Sequence, residues 1–221
     1  MVETIQNIAI WAVPVLVAIV FHEVAHGYVA YYLGDPTAAR MGRLTLNPLA
    51  HIDPFGTVLL PLLLIVAHSP FVFGYAKPVP VNFHNLRHPK RDMIWVAVAG
   101  PLTNLVLAFV SAMVLKLLLS YDEPLSQGSG SSIAILQPLA DMAKTGVIMN
   151  VVLAVFNLIP IPPLDGGRVL IGLLPEPTSS AVARIEPFGF LIVIVLLMTD
   201  ILDYIMGPAI QFLVGVFVGL L

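Results

Sequence analysis

Hydrophobic residues run in long blocks along this chain, and polar residues gather between them. The first block covers residues 8 to about 33 and has no charged residue from Ile8 to Phe21. It is long enough to cross a bilayer as a tilted helix, and Gly34-Asp35-Pro36 ends it. A second block, 55–67, follows Asp53 and Pro54, a capping residue and a first-turn proline. As a helix it rises only about 20 Å, short of the roughly 30 Å hydrocarbon core. It is therefore predicted to be re-entrant. Further blocks cover 92 to about 119, about 144–160, about 187–205 and 207–221. The pattern predicts an all-α integral membrane protein of about five to six transmembrane segments, the short re-entrant one included. The stretches "MGRLTLNP" and "AKPVPVNF" alternate or are proline-rich, and predict small β-strand elements near the inner face. No internal repeat is visible, and residues 1–221 read as one membrane domain.

Composition agrees with this pattern. The chain is 58% hydrophobic and 10% charged, with a mean hydropathy of +0.96. A soluble domain carries about a quarter charged residues. A net charge of −3 excludes a nucleic-acid partner of the usual basic kind. The absence of cysteine excludes disulfides, thiolate metal sites and a Cys nucleophile. The N-terminal "MVETIQN" has no basic stretch and does not read as a signal peptide. Orientation follows from the basic residues. Arg40, Arg43, Lys77, Arg87, Lys90, Arg91, Arg168 and Arg184 share one side if segment 55–67 dips and returns. Only Lys116 and Lys144 flank the opposite loop, 121–132. The expected topology is multi-pass, with the N-terminus outside.

One polar cluster interrupts the first block. His22, Glu23 and His26 lie in "VFHEVAHGYVAYYLGD". Ionisable groups at bilayer depth cost several kcal/mol unless paired or metal-bound. His22 and His26 are i and i+4, on one face of a helix, where two imidazoles can reach one metal ion. Glu23 projects about 100° round the helix. It is placed to act as a general base on a water at the metal. A catalytic zinc takes three protein ligands. His22 lies about 21 Å down the helix from Ile8, past the midplane. Asn157 lies about 18 Å down the fourth segment, and the prolines of "NLIPIPPLDGG" then bring Asp165 to a comparable depth on non-helical backbone. Asp35, Asp53 and Asp92 sit at segment boundaries, and Asp200 and Asp203 near the far end of the 187–205 segment. Asp165 is the third candidate ligand, and it also suits the N-cap of a helix running to Leu174.

Three motifs in order, "FHEVAHG", "AGPLTN" and "FNLIPIPPLDGG", with "FGYAKPVPVN" between the first two, resemble the site-2 protease family of intramembrane zinc metalloproteases. The likeness is to the compact bacterial branch without a PDZ domain, and it covers nearly the whole chain. It implies one Zn2+ per chain, held by His22, His26 and Asp165, with Glu23 as catalytic base. It implies cleavage of single-span transmembrane protein substrates within the lipid bilayer of a bacterial cell membrane. The active site is expected toward the cytosolic side, and Asn157 against the substrate backbone. Asn104 sits one turn from Gly100 and offers an amide across helices. "KPVPV", with Lys77 and Pro78, offers an edge for an extended substrate. His84 and His88 share the i, i+4 spacing but lie in a basic, proline-bounded stretch and read as interfacial. His51 and His68 read as boundary residues. The rival classes are a metal-ion or proton transporter and an inactive substrate-binding relative.

Overall fold

A computed structural model of the chain describes residues 2–68, 74–125, 133–199 and 201–219. Asp200 and the serine-rich part of the 121–132 loop, residues 126–132, lie outside the described residues. The fold is helical throughout. Four helices are long and apolar enough to cross a membrane: α1 (Val2–Tyr32), α4 (Pro89–Leu125), α5 (Ile133–Asn157) and α9 (Ile201–Gly219). The shorter ones are α2 (Thr37–Arg40), α3 (Leu60–Val66), α6 (Asp165–Leu173), α7 (Thr178–Ala183) and α8 (Glu186–Met198).

Helices α1, α4 and α5 form the bundle that carries the site. α4 runs antiparallel to the other two, and the contacts follow in layers. Ala18, Asn104 and Asn150 meet at one level through their polar groups. Pro14, Ser111 and Gly146 meet about one turn further along. Leu115, Ala140 and Ala143 pack beyond them. Small residues at these positions let the helices approach closely, which is how helices associate where lipid competes for apolar contact. Pro14 and Pro138 sit inside α1 and α5, as membrane helices tolerate when neighbours cover the freed carbonyls. At the other end, Leu202 and Met206 of α9 pack on Val155 and Phe156 of α5 and on Ile159 just past it.

Three expectations are corrected. No strand occurs among the described residues; residues 43–47 and 74–82 have no regular secondary structure and form no ladder. Pro78 and Pro80 lack the N–H groups that a ladder needs. Side chains take the ladder's place. Arg43 Nη2 donates to the carbonyls of Lys77 (2.9 Å) and Pro78 (3.3 Å). The Asn82 N–H donates to Asp35 Oδ2 at 2.7 Å. Second, the helix expected over 144–160 starts earlier, at Ile133. Third, the helices expected over 187–205 and 207–221 divide elsewhere. α8 ends at Met198, and Gly207 and Pro208 lie inside α9. Thr199 Oγ1 bonds back to the carbonyls of Val195 (3.0 Å) and Leu196 (3.2 Å), which satisfies the end of α8.

The short segment 54–66 is one turn of π-helix, Pro54–Leu59, leading into α3. Asp53 Oδ1 caps it, accepting from the N–H groups of Phe55 (3.0 Å) and Gly56 (2.7 Å). The chain comes back beside its start. The Tyr75 N–H donates to Gly56 O at 3.0 Å, and Thr57 Oγ1 donates to Tyr75 O at 2.8 Å. Asp35, fully buried just past α1, ties this returning chain down. It accepts from the N–H of Asn82 and Thr37, the Thr37 hydroxyl and Asn85 Nδ2. Burial pushes the Asp35 carboxyl up, but donors on Thr37, Asn85 and Asn82 outweigh it and hold the group below the ordinary carboxylate range.

Candidate metal centre

Helical spacing places His22 and His26 on the face of α1 that meets α4, and both are buried. Their partners are on α4. His26 Nδ1 lies 2.6 Å from the carbonyl of Val96. A carbonyl only accepts, so His26 Nδ1 carries the hydrogen, and in the neutral ring Nε2 is the free ligand atom. His22 Nδ1 lies 2.6 Å from Asn104 Oδ1 and takes the same tautomer. The two Nε2 atoms then face each other at 3.0 Å.

Asp165 completes the group. The backbone turns through Leu158–Pro163, and α6 begins at Asp165 with Leu164 as its N-cap. Asp165 is thus the first helical residue and does not cap the helix; its side chain points at the histidines. Its Oδ2 lies 3.2 Å from His22 Nε2 and 3.3 Å from His26 Nε2. That oxygen is buried and finds no hydrogen-bond donor among the described residues. Gly166 and Gly167 allow this placement, because a Cβ on either would run into the backbone of Leu158–Pro162.

Three atoms that can act as metal ligands therefore converge on one point. With both rings neutral no hydrogen lies between them, and a cation among the three would compensate their lone pairs and the carboxylate charge. Tetrahedral zinc ligands at about 2.0–2.1 Å from the metal lie about 3.3 Å from one another. The observed separations of 3.0, 3.2 and 3.3 Å fit that requirement. These three residues are the one group of metal-binding type among the described residues. Gly100 on α4 leaves the space open. A Cβ there would lie 2.6 Å from His22 Cε1 and 2.7 Å from His22 Nε2, and would also collide with His26 Nε2.

Glu23 is half-buried beside the pair. Its Oε2 accepts the Val79 N–H at 2.7 Å, which leaves Oε1 without that bond. The extended chain around Val79 thus lies along α1 at the level of the candidate metal. Lys77 and Pro78 are on this segment, with exposed side chains. Their carbonyls are held by Arg43, and the Lys77 N–H donates to His51 O at 2.9 Å. The two remaining expected residues are hydrogen-bonded within the helices. Asn157, half-buried at the end of α5, donates back to Leu153 O at 2.9 Å. Asn104 is fully buried and holds His22. Two residues with site contacts escaped sequence reasoning. Asn150 bonds Asn104 at 2.9 Å. Its signal was a lone amide in an otherwise apolar stretch of α5. Arg43 is buried without an ion pair among the described residues. In the sequence it counts only as one more basic residue.

The family model described as "Peptidase family M50" matches residues 10–200. The protein named "Putative zinc metalloprotease YwhC" of Bacillus subtilis (strain 168) is 38% identical over 196 residues, 89% of this chain and 83% of that protein. Two mycobacterial proteins named Rip2 and likewise described as zinc metalloproteases are also similar. The one from Mycolicibacterium smegmatis is 34% identical over 85% of this chain and 66% of its own length. The one from Mycobacterium tuberculosis (strain H37Rv) is 30% identical over 91% of this chain and 73% of its own. No solved structure matches the chain.

Proposed function

Because the chain belongs to peptidase family M50, a family of membrane-embedded zinc metalloproteases, we propose that it is an intramembrane endopeptidase of the site-2 type. The carrying observation is the convergence of His22 Nε2, His26 Nε2 and Asp165 Oδ2 on one point, with Glu23 alongside. The substrate class is a single-span transmembrane protein whose helix unwinds at the scissile bond.

His22, His26 and Asp165 would hold the zinc, which would supply Lewis-acid chemistry for water activation and charge stabilisation. Glu23 takes the proton of the attacking water and delivers it to the leaving amine. The Val79 N–H bond to Oε2 orients the carboxylate and leaves Oε1 for that proton. The chain at Lys77–Val79 offers an edge along which an unwound substrate extends. The Asn157 amide, at the mouth of the same turn, is a candidate partner for the substrate backbone.

The topology follows from the same residues. Segment 54–66 is re-entrant, because its return at Tyr75 lies beside its start at Gly56. The end of α1, the start of α4 and the end of α5 then share the side that carries eight of the ten Lys and Arg residues. The positive-inside rule makes that side cytosolic and the N-terminus external, in a bacterial cell membrane. The metal centre is nearer the cytosolic face, since His26 bonds Val96 close to the start of α4.

Glu23→Gln is the direct test. A glutamine carbonyl still accepts the Val79 N–H, so the fold and zinc content should survive. Cleavage of a single-span substrate should fall by about 10²–10⁴-fold, the contribution of a general base. Retained proteolysis in the zinc-loaded variant would sink the assignment. Metal uptake into liposomes without peptide cleavage by the wild type would point to transport instead.

A further inference from the structure

The helix interface behind the metal centre contains a second amide, and the proposed reaction does not use it. Asn150 on α5 is 2% exposed. Its Nδ2 donates to Gly146 O at 2.8 Å, and its Oδ1 accepts from Asn104 Nδ2 at 2.9 Å. Asn104 Nδ2 also donates to Ala18 O at 3.1 Å, and Asn104 Oδ1 faces His22 Nδ1 at 2.6 Å.

The direction of this chain of bonds is forced. Gly146 O and Ala18 O are backbone carbonyls, which can only accept. The NH2 end of Asn150 must therefore face Gly146, and its oxygen must face Asn104. The NH2 of Asn104 then has both hydrogens placed, one on Ala18 O and one on Asn150 Oδ1. Its oxygen is left for His22, whose Nδ1 must carry the hydrogen. In the neutral ring Nε2 of His22 is then the free ligand atom, and it faces Asp165 at 3.2 Å. His26 needs no such relay, because the Val96 carbonyl sets its tautomer directly.

We propose that Asn150 is a positioning residue of the metal centre. It locks the orientation of the Asn104 amide, and through that amide it sets the tautomer and ring angle of His22. The inference rests on the reading of His22 as a zinc ligand. Partners of this kind commonly change metal affinity by about 10- to 100-fold when removed. Without Asn150, one N–H of Asn104 has no acceptor in a dry interface, and the amide is drawn away from His22.

The test uses the full chain in detergent or nanodiscs. Asn150→Leu removes both bonds. Asn150 borders an apolar groove of about 330 Å³ between α1, α4 and α5, so a leucine has room. Asn150→Asp is the conservative variant. A carboxyl buried there stays neutral, so its OH can donate to Gly146 O while its carbonyl accepts from Asn104. Zinc affinity is measured by chelator competition, and the His22 tautomer by ¹⁵N ring shifts of the metal-free, ¹⁵N-histidine-labelled protein. The leucine variant should bind zinc about 10- to 100-fold more weakly and lose the uniform Nδ1–H signal of His22. The aspartate variant should restore both. A residue that only glues helices would lower stability and move neither readout. Folded Asn150→Leu with wild-type zinc affinity and an unchanged His22 signal overturns the proposal. So does an aspartate variant that behaves like leucine. Should the leucine variant fail to fold, Asn150→Ser is read by the same two measurements. Wild-type protein that binds no zinc refutes the zinc reading instead, while the metal-free tautomer still tests the relay.

Discussion

Gly100→Ala tests the geometry of the metal centre, because the added Cβ would occupy the space in which the two histidine rings meet. Replacing a glycine inside a helix by alanine normally stabilises it by up to about 1 kcal/mol. Here the added Cβ would lie 2.6–2.7 Å from the His22 ring and closer still to His26 Nε2. Ordinary contact requires about 3.5 Å, so the His22 ring must retreat by roughly 0.8–0.9 Å and the His26 ring by more. Neither ring can swing aside freely. His22 is held by Asn104 and His26 by the Val96 carbonyl, each at 2.6 Å. Metal sites tolerate about 0.2 Å of misplacement at each ligand. The expected loss of zinc affinity is at least about 100-fold, or about 2.7 kcal/mol. Chelator-competition titration of the purified protein reads the affinity, and a thermal melt of the metal-free protein reads stability. The affinity should fall, and the metal-free melt should fall as well, because the displaced rings strain their bonds to Asn104 and the Val96 carbonyl. Wild-type zinc affinity in a folded Gly100→Ala protein would refute the converging geometry.

Zinc held by the three ligands of the folded protein, and not by the unfolded chain, would add about 2.7 kcal/mol of stability at 100 times its Kd. A chelator should therefore lower the wild-type melting temperature and leave Asp165→Ala unchanged; an equal response in the two would remove Asp165 from the ligand set. Arg43→Gln should reduce kcat by about tenfold or more with zinc affinity intact, since it frees the carbonyls that orient the Val79 N–H on Glu23. A change confined to KM would place Arg43 in substrate binding instead. Asp35 has a depressed carboxyl pKa, so its contribution is present above the ordinary carboxylate pKa of about 4 and is lost as pH falls through the lower folded value. Melting between pH 6 and 3 should show this loss in the wild type and a flatter profile in Asp35→Asn; parallel profiles would contradict it.

The parts of the site legible in the sequence are those set by local geometry. An i, i+4 histidine pair needs only a helix to share a face. The run of prolines before Asp165 needs only to break one. Which helices lie side by side is not local information. Asn104 could be recognised as an amide that must find partners, but nothing in the sequence says that they are His22, Ala18 and Asn150. The strand expectation failed for a related reason. Alternation in "AKPVPVNF" is real, yet its prolines withhold donors, and Arg43, Glu23 and Asp35 supply the bonds a neighbouring strand would have made. The boundary between the last two helices was misplaced because Gly207-Pro208 reads as a break by the rules of soluble proteins. In a membrane helix such a pair continues, and the break falls where Thr199 can satisfy the last carbonyls of α8.

The cost of three ionisable residues in an apolar helix is offset by a division of labour among distant parts of the chain. α4 supplies an acceptor for each imidazole, Asn104 for His22 and the Val96 carbonyl for His26. The returning chain supplies a donor for Glu23 at Val79. α6 supplies Asp165, which adds negative charge and takes no hydrogen bond through Oδ2. Each of the first three contacts satisfies a polar group on its own. The fourth does not, because it places a third acceptor against two lone pairs. Packing stability alone would favour an apolar residue at position 165 over an uncompensated carboxylate. A cation among the three would remove that conflict. The contact that packing alone does not explain is therefore the one that points to what the site would bind.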